Sequence, residues 1–137
     1  MLERLVLAAV LLVAGFAAYQ GFTRHHLRRI AERAPYDPVL QGLTPGVPTV
    51  VYFTTPTCIP CRTQQQPALA LLQDELGSGV QIVKIDATQD PDAAGRWGVF
   101  SAPTTFVLDR NWNPREINHG VADADKLKRQ ILKAVAV

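Results

Sequence analysis

Cysteine is nearly absent from this sequence: of 137 residues, two are cysteine, three histidine and one methionine. Two thiols cannot knit a disulfide-rich miniature fold, and with no second cysteine pair or histidine nearby they cannot close a four-ligand structural zinc site. Charge is also sparse, at 19% of residues against 47% hydrophobic ones, which excludes a disordered polar tail. Repeats and low-complexity tracts are missing. The length suits one domain of ordinary size and leaves little for a second. The net charge of +2 has a single local source, because Arg24, Arg28, Arg29 and Arg33 crowd one short stretch against Glu32. Beyond residue 33 the chain carries nine basic and ten acidic residues, so no nucleic-acid-binding surface is spread over it.

What the chain does have begins with an apolar run. Leu5 to Tyr19 contains no charge, amide or proline, and the apolar character resumes through Gly21 and Phe22. As a helix, Leu5 to Thr23 extends ~28 Å, close to the roughly 30 Å hydrocarbon core of a bilayer. Residues 1–23 are therefore expected to be a single-pass anchor. The competing reading is a cleaved signal peptide, weakened by a poor small-x-small site and by apolar sequence continuing past it. The arginine excess after the span puts the following domain in the cytoplasm by the positive-inside rule. Residues 24–48 are expected to be a basic juxtamembrane segment and a Pro/Gly-rich spacer with little regular structure.

Residues 49–137 read as the folded domain. Thr49–Thr54 has the character of a buried strand, Ile59–Leu76 has helical spacing, and Gly77 and Gly79 stop that helix. Val80–Ile85 is a second strand, parallel to the first through the helical crossover. A short helix from Pro91 to Trp97 follows. Thr104–Leu108 and Arg115–Asn118 then form a hairpin, and a last helix starts after the N-cap Asp123.

Both cysteines stand in Thr57-Cys-Ile-Pro-Cys-Arg62, between strand and helix. Free N–H groups and the positive end of the dipole stabilise a thiolate there. Their spacing allows a disulfide. Cys58, ahead of the helix, is assigned as the attacking nucleophile and Cys61, one turn in, as the resolving thiol. Pro60 sits in the first turn, where a missing N–H costs nothing. A static structural disulfide is the weaker alternative, since so small a loop removes little chain entropy.

Strand, Cys-x-Pro-Cys, helix, strand, short helix, Ala102-Pro103-Thr104 opening a hairpin, and Gly120 before a final helix together resemble the thioredoxin family. The resemblance implies an α/β fold with a central mixed sheet flanked by helices. That fold would be trimmed, because residues 34–48 leave little room for the family's first strand and helix. It implies a cis Pro103 facing the cysteines and a substrate-docking edge of Ala102 and Pro103 with Gly120 and Val121 beside it. Ile59 and Pro60 flank the nucleophile, with Ile59 favouring hydrophobic partners. No cofactor or metal is implied. The partners expected are protein disulfides or dithiols and a redox partner, with the soluble domain monomeric. Departures are also visible. Tyr52 stands where the family keeps a buried aspartate, and Thr54 and Thr57 replace its tryptophans. Glu75, Lys84 and Asp86 are candidate replacements for the missing proton acceptor, and His119 is a candidate for tuning Cys58. Pro67 falls one residue late, which suggests a bulge or a shifted kink in the helix. The family's tethered members commonly act outside the cell, opposing the arginine bias. A redox-inactive binding or chaperone module and a Cu(I)-handling dithiol are the rival functions.

Overall fold

The structure is a computed structural model that describes residues 1–136. Its centre is a four-stranded sheet in the order β2-β1-β3-β4. β1 (Thr49–Thr54) pairs in parallel with β2 (Gln81–Asp86) and antiparallel with β3 (Thr104–Leu108), which pairs antiparallel with β4 (Pro114–His119). All six residues of β1 are buried, as its Val-Val-Tyr-Phe sequence requires of a strand covered on both faces. Val50 and Tyr52 face one hydrophobic cluster, and Val51 and Phe53 face the other.

Helices α2 (Gln66–Leu76) and α4 (Ala124–Val135) close the first face through Leu69, Leu72, Leu127 and Ile131. Asp123 caps α4 by accepting the Lys126 N–H at 2.7 Å, as the sequence leads one to expect. The second face is covered by α3 (Pro91–Trp97), whose Trp97 packs edge-on against Phe106 at 5.0 Å between ring centroids.

The rest of that second face is covered by residues that read as spacer. Helix α1 runs unbroken from Leu2 to Arg33, and two short 3-10 turns follow at Ala34–Tyr36 and Pro38–Leu40. Ile30, Ala34 and Leu40 are buried in the cluster of Phe53 and Trp97. Prolines that punctuate an exposed linker here open tight turns that carry apolar side chains down onto the sheet. Among the described residues no strand precedes β1, and β2 forms one edge of the sheet, consistent with a trimmed fold. Trp112, in the turn between β3 and β4, is half-buried against the same cluster, in a left-handed conformation (φ 64°).

Asp37 ties this lid to α3. Its carboxylate accepts from Arg96 Nε and Nη2 at 3.0 and 3.2 Å and from the Val39 N–H at 3.0 Å. Burial pushes the Asp37 carboxyl up, but the bonds from Arg96 and Val39, with the Arg96 charge, outweigh it and hold the group below the ordinary 3.8. A folded-state value below the unfolded one means a stabilisation present above about pH 4 and lost as pH falls through the lowered value.

The displaced Pro67 has its counterpart in the helix after the cysteines. Cys61–Gln65 is a π turn, closed by the Gln66 N–H bonding to the Cys61 carbonyl five residues back. One extra residue has been absorbed as a π bulge, and Gln65 is turned fully into the interior. There its Nε2 donates to the Ala122 carbonyl at 3.0 Å and its Oε1 accepts the Ala122 N–H at 2.9 Å. The side chain thus substitutes for a strand partner at a loop that has none.

Two stability outcomes follow. Asp37→Asn is expected to lower the urea midpoint at neutral pH, and to lose less of what remains than the parent does as pH drops from about 5 to about 3. Gln65→Leu leaves both backbone groups of Ala122 buried without partners and is expected to cost about 2 kcal/mol or more in the same titration.

Candidate functional site

The site lies at the C-terminal end of β1. After Thr54 the chain turns through Pro56 and Thr57, with the Cys58 N–H bonded to the Thr55 carbonyl at 3.2 Å, and helical geometry begins at Ile59. Cys58 therefore occupies the N-terminus of the helix, with Pro60 in its first turn. Cys58 and Cys61 are joined by a disulfide with Sγ–Sγ 2.05 Å and Cα–Cα 5.3 Å. Their accessibilities differ in the direction their assigned roles demand: Cys58 is 9% exposed, at the rim, and Cys61 is 0% exposed. The Cys61 N–H donates to Cys58 Sγ at 3.2 Å. That bond is worth most when the sulfur is an anion, and it adds to the helix dipole in favouring a Cys58 thiolate.

A groove of about 710 Å³ opens beside the disulfide, with Cys58, Ile59 and Pro60 on one side and Ala102 and Phe100 on the other. Ile59 is 62% exposed and Phe100 96%, so the rim is apolar. The Ala102–Pro103 peptide is cis. Pro103, next to the groove-lining Ala102, is buried and is joined to Gly120 by the Gly120 N–H bonding to the Pro103 carbonyl at 2.9 Å; neither residue lines the groove itself. Gly120 has φ +92°, a conformation that favours glycine, and Val121 beside it is exposed. Gln65 holds the next residue, Ala122, and so fixes this loop relative to the cysteine helix. Sequence reasoning missed that contact. Gln64-Gln65-Gln66 reads as a polar surface, and only the late proline hinted that the middle glutamine is turned inward.

The other candidates are placed as follows. Glu75 is exposed and bonded to Lys128 Nζ at 3.1 Å. Asp86 accepts from the Thr88 hydroxyl at 2.6 Å and the Thr88 N–H at 2.8 Å, bonds that hold its carboxyl below the usual range. Lys84 pairs with Tyr52 in the strand register but is exposed. None of the three lines the groove. His119 faces helix α1 across a small cavity with Tyr19, Phe22 and His26 and does not line the disulfide groove. Thr57 lines the groove, and Thr54 is buried.

Tyr52 remains. It is 1% exposed in the cluster that contains both cysteines, and its hydroxyl has no hydrogen-bond partner. A buried phenol with an unused donor is costly unless something at the site engages it.

Comparison with known proteins agrees with this geometry. The thioredoxin family model matches residues 32–133. Thioredoxin of Bacillus subtilis is 43% identical over 56 residues, which are 41% of this chain and 53% of that protein. The chloroplastic thioredoxin Y of Oryza sativa subsp. japonica is 32% identical over 90 residues, 66% of this chain and 52% of its own. The chain thus spans about half the length of the curated relatives it matches. Among solved structures, Fasciola hepatica thioredoxin superposes with a TM-score of 0.57 at 28% identity, covering 66% of this chain and 83% of its own. A malaria-parasite thioredoxin-2, described as a component of protein secretion machinery, reaches 0.63 at 23% identity over 69% and 90% of the two chains, a likeness of fold. The matched span holds the lid, the sheet, the cysteine pair and the cis-proline turn together, and the chain belongs to the thioredoxin family.

Proposed function

We propose that the chain is a membrane-tethered thiol-disulfide oxidoreductase acting on protein disulfides through Cys58 and Cys61. The observation that carries this reading is the asymmetry of the pair. Cys58 sits at a helix N-terminus on the rim of an open apolar groove, with an N–H aimed at its sulfur, while Cys61 is sealed behind it. In the reduced form the Cys58 thiolate attacks one sulfur of a substrate disulfide. The substrate S–S bond breaks, a mixed disulfide forms and one substrate thiolate leaves. Deprotonated Cys61 then attacks Cys58 Sγ and releases the second substrate thiolate. Two electrons have passed to the substrate, and the Cys58–Cys61 disulfide remains for a dithiol redox partner to reduce. The reverse sequence oxidises a substrate dithiol.

Substrate docks along Ala102 and Pro103, with Gly120 and Val121 beside them, and Ile59 and Pro60 face it from the helix. The second step makes a buried thiolate at Cys61, and no carboxylate lines the groove to manage its proton. The Tyr52 hydroxyl, buried in the same cluster and bonded to neither sulfur in the disulfide form, is the donor this reading assigns to the Cys61 thiolate of the reduced form.

The tether is α1, the one helix among the described residues long and apolar enough to cross a membrane, with none of its apolar window buried. A signal sequence passes the same test of length and composition. Leu5, Leu11, Leu12 and Val13 are each more than 60% exposed, an apolar surface that lipid covers and water penalises. Arg24, Arg28, Arg29 and Arg33 favour a cytoplasmic domain over the external side common among tethered relatives.

In an insulin-reduction assay, Cys58→Ser is expected to fall to background. No insulin reduction by the parent chain would leave only a binding module, and turnover unchanged by Cys58→Ser would remove Cys58 as the nucleophile. Tyr52→Phe is expected to form the mixed disulfide at the parental rate and release it about tenfold more slowly, about 1.4 kcal/mol, as read by acid-trapped adducts. Protease added outside intact spheroplasts is expected to spare the domain; digestion would place it externally.

A further inference from the structure

Helix α1 does not end where its apolar run ends. It continues without a break from the apolar run through Arg33, and its last turns are part of the folded domain through Ile30 and Ala34. From Thr23 to Ile30 is about 10 Å along the helix, so no slack separates anchor from domain. The contact is interlocked. His26 fills the space beside Gly98, where any Cβ would collide with the imidazole ring, and Gly98 is in a left-handed conformation at φ +65°. Tyr19, Phe22 and His26 then enclose a cavity of about 210 Å³ against Phe100, Ile117 and His119.

Phe100 is the residue that matters most here. It lines the cavity shared with the last turn of the apolar run, and it also lines the groove that holds Cys58. Its side chain is 96% exposed, next to Tyr19 and Phe22 at 61% and 71%. A phenylalanine so fully exposed beside the end of a membrane span is stabilised at the lipid interface and penalised in water. Arg24 and Arg28 are exposed just beyond the apolar run, where anionic lipid headgroups attract cations.

We propose that α1 holds the domain rigidly on the bilayer it spans, with Phe100 in the headgroup layer and the mouth of the disulfide groove beside it. The substrates are then disulfides or dithiols in membrane proteins, carried within about 10 Å of the lipid surface, the reach of a headgroup layer and a few residues. Cysteines held well above the surface by a rigid stalk fall outside the groove's range. This rests on the tethered oxidoreductase reading above.

The test uses the full chain in vesicles of phosphatidylcholine with phosphatidylglycerol. The probe is one disulfide-closed peptide loop, presented free in solution or on a transmembrane peptide through a rigid helical spacer of negligible length or of about 30 Å, 20 residues. The near loop is expected to react at least about tenfold faster than the raised one, because only it shares the groove's effective concentration. A flexible Gly/Ser insertion between Thr23 and Arg24, about 12 residues and so up to about 40 Å, is expected to bring the two rates within about twofold and leave the free loop unchanged. Independently, Phe100→Trp is expected to show at least about twofold more quenching by brominated lipid than the parent, whose Trp97 is buried and Trp112 half-buried. Equal rates at both heights in the uninterrupted chain, or no excess quenching, overturns the proposal. Excess quenching with no reaction on any loop upholds the docking geometry and removes the oxidoreductase reading instead.

Discussion

β1 is buried on both faces along its whole length, and both hydrophobic clusters are built on it. Val50 and Tyr52 hold α2 and α4 to one side, and Val51 and Phe53 hold α3 and the end of α1 to the other. Because this strand cannot move without opening both clusters, its C-terminal end is a fixed point, and the chain leaves that point directly into Cys58. Every property that distinguishes the two sulfurs depends on this. Cys58 is carried on the turn, at a helix N-terminus, while Cys61, one turn further, is pressed into the cluster that contains Tyr52.

The surface facing the cysteines is positioned by polar contacts. Gln65 reaches across from the π turn to both backbone groups of Ala122, and the Gly120 N–H bonds to the Pro103 carbonyl. The inserted residue and the loop are one device: without the bulge the buried glutamine would not be directed at the loop, and without the glutamine a buried peptide group would lack its partners. On the opposite face, Asp37 and Arg96 do comparable work for the lid that replaces the missing first strand.

Much of this was legible in the residues. Helix and strand positions followed from periodicity and from glycine and capping signals, and the boundaries moved by a residue at β2 and β4. Cys-Ile-Pro-Cys between strand and helix announced the disulfide pair and which sulfur lies deeper. Pro67 announced the bulge. The spacer was where local reading failed: Ala34, Leu40 and their prolines look like linker because their burial partners, Phe53, Trp97 and Phe106, lie far away in the chain. Glu75, Lys84 and Asp86 stay outside the groove lining, since position along a strand or helix does not say whether a charge turns to solvent.

By itself, then, the sequence determined the local conformations, the cysteine pair, the family and the apolar length of α1, all of which depend on residue type and short-range spacing. The tertiary structure decided what long-range contact alone can decide. It turned Gln65 inward, left the Tyr52 hydroxyl unpartnered within the cluster that holds the cysteines, and drew the Pro/Gly-rich spacer into the core. It also brought Phe100 to both the disulfide groove and the end of the apolar helix, linking two features that are some 40 residues apart in the chain. Burial depends on which distant side chains arrive at the same place, and no local pattern in the sequence encodes that arrival.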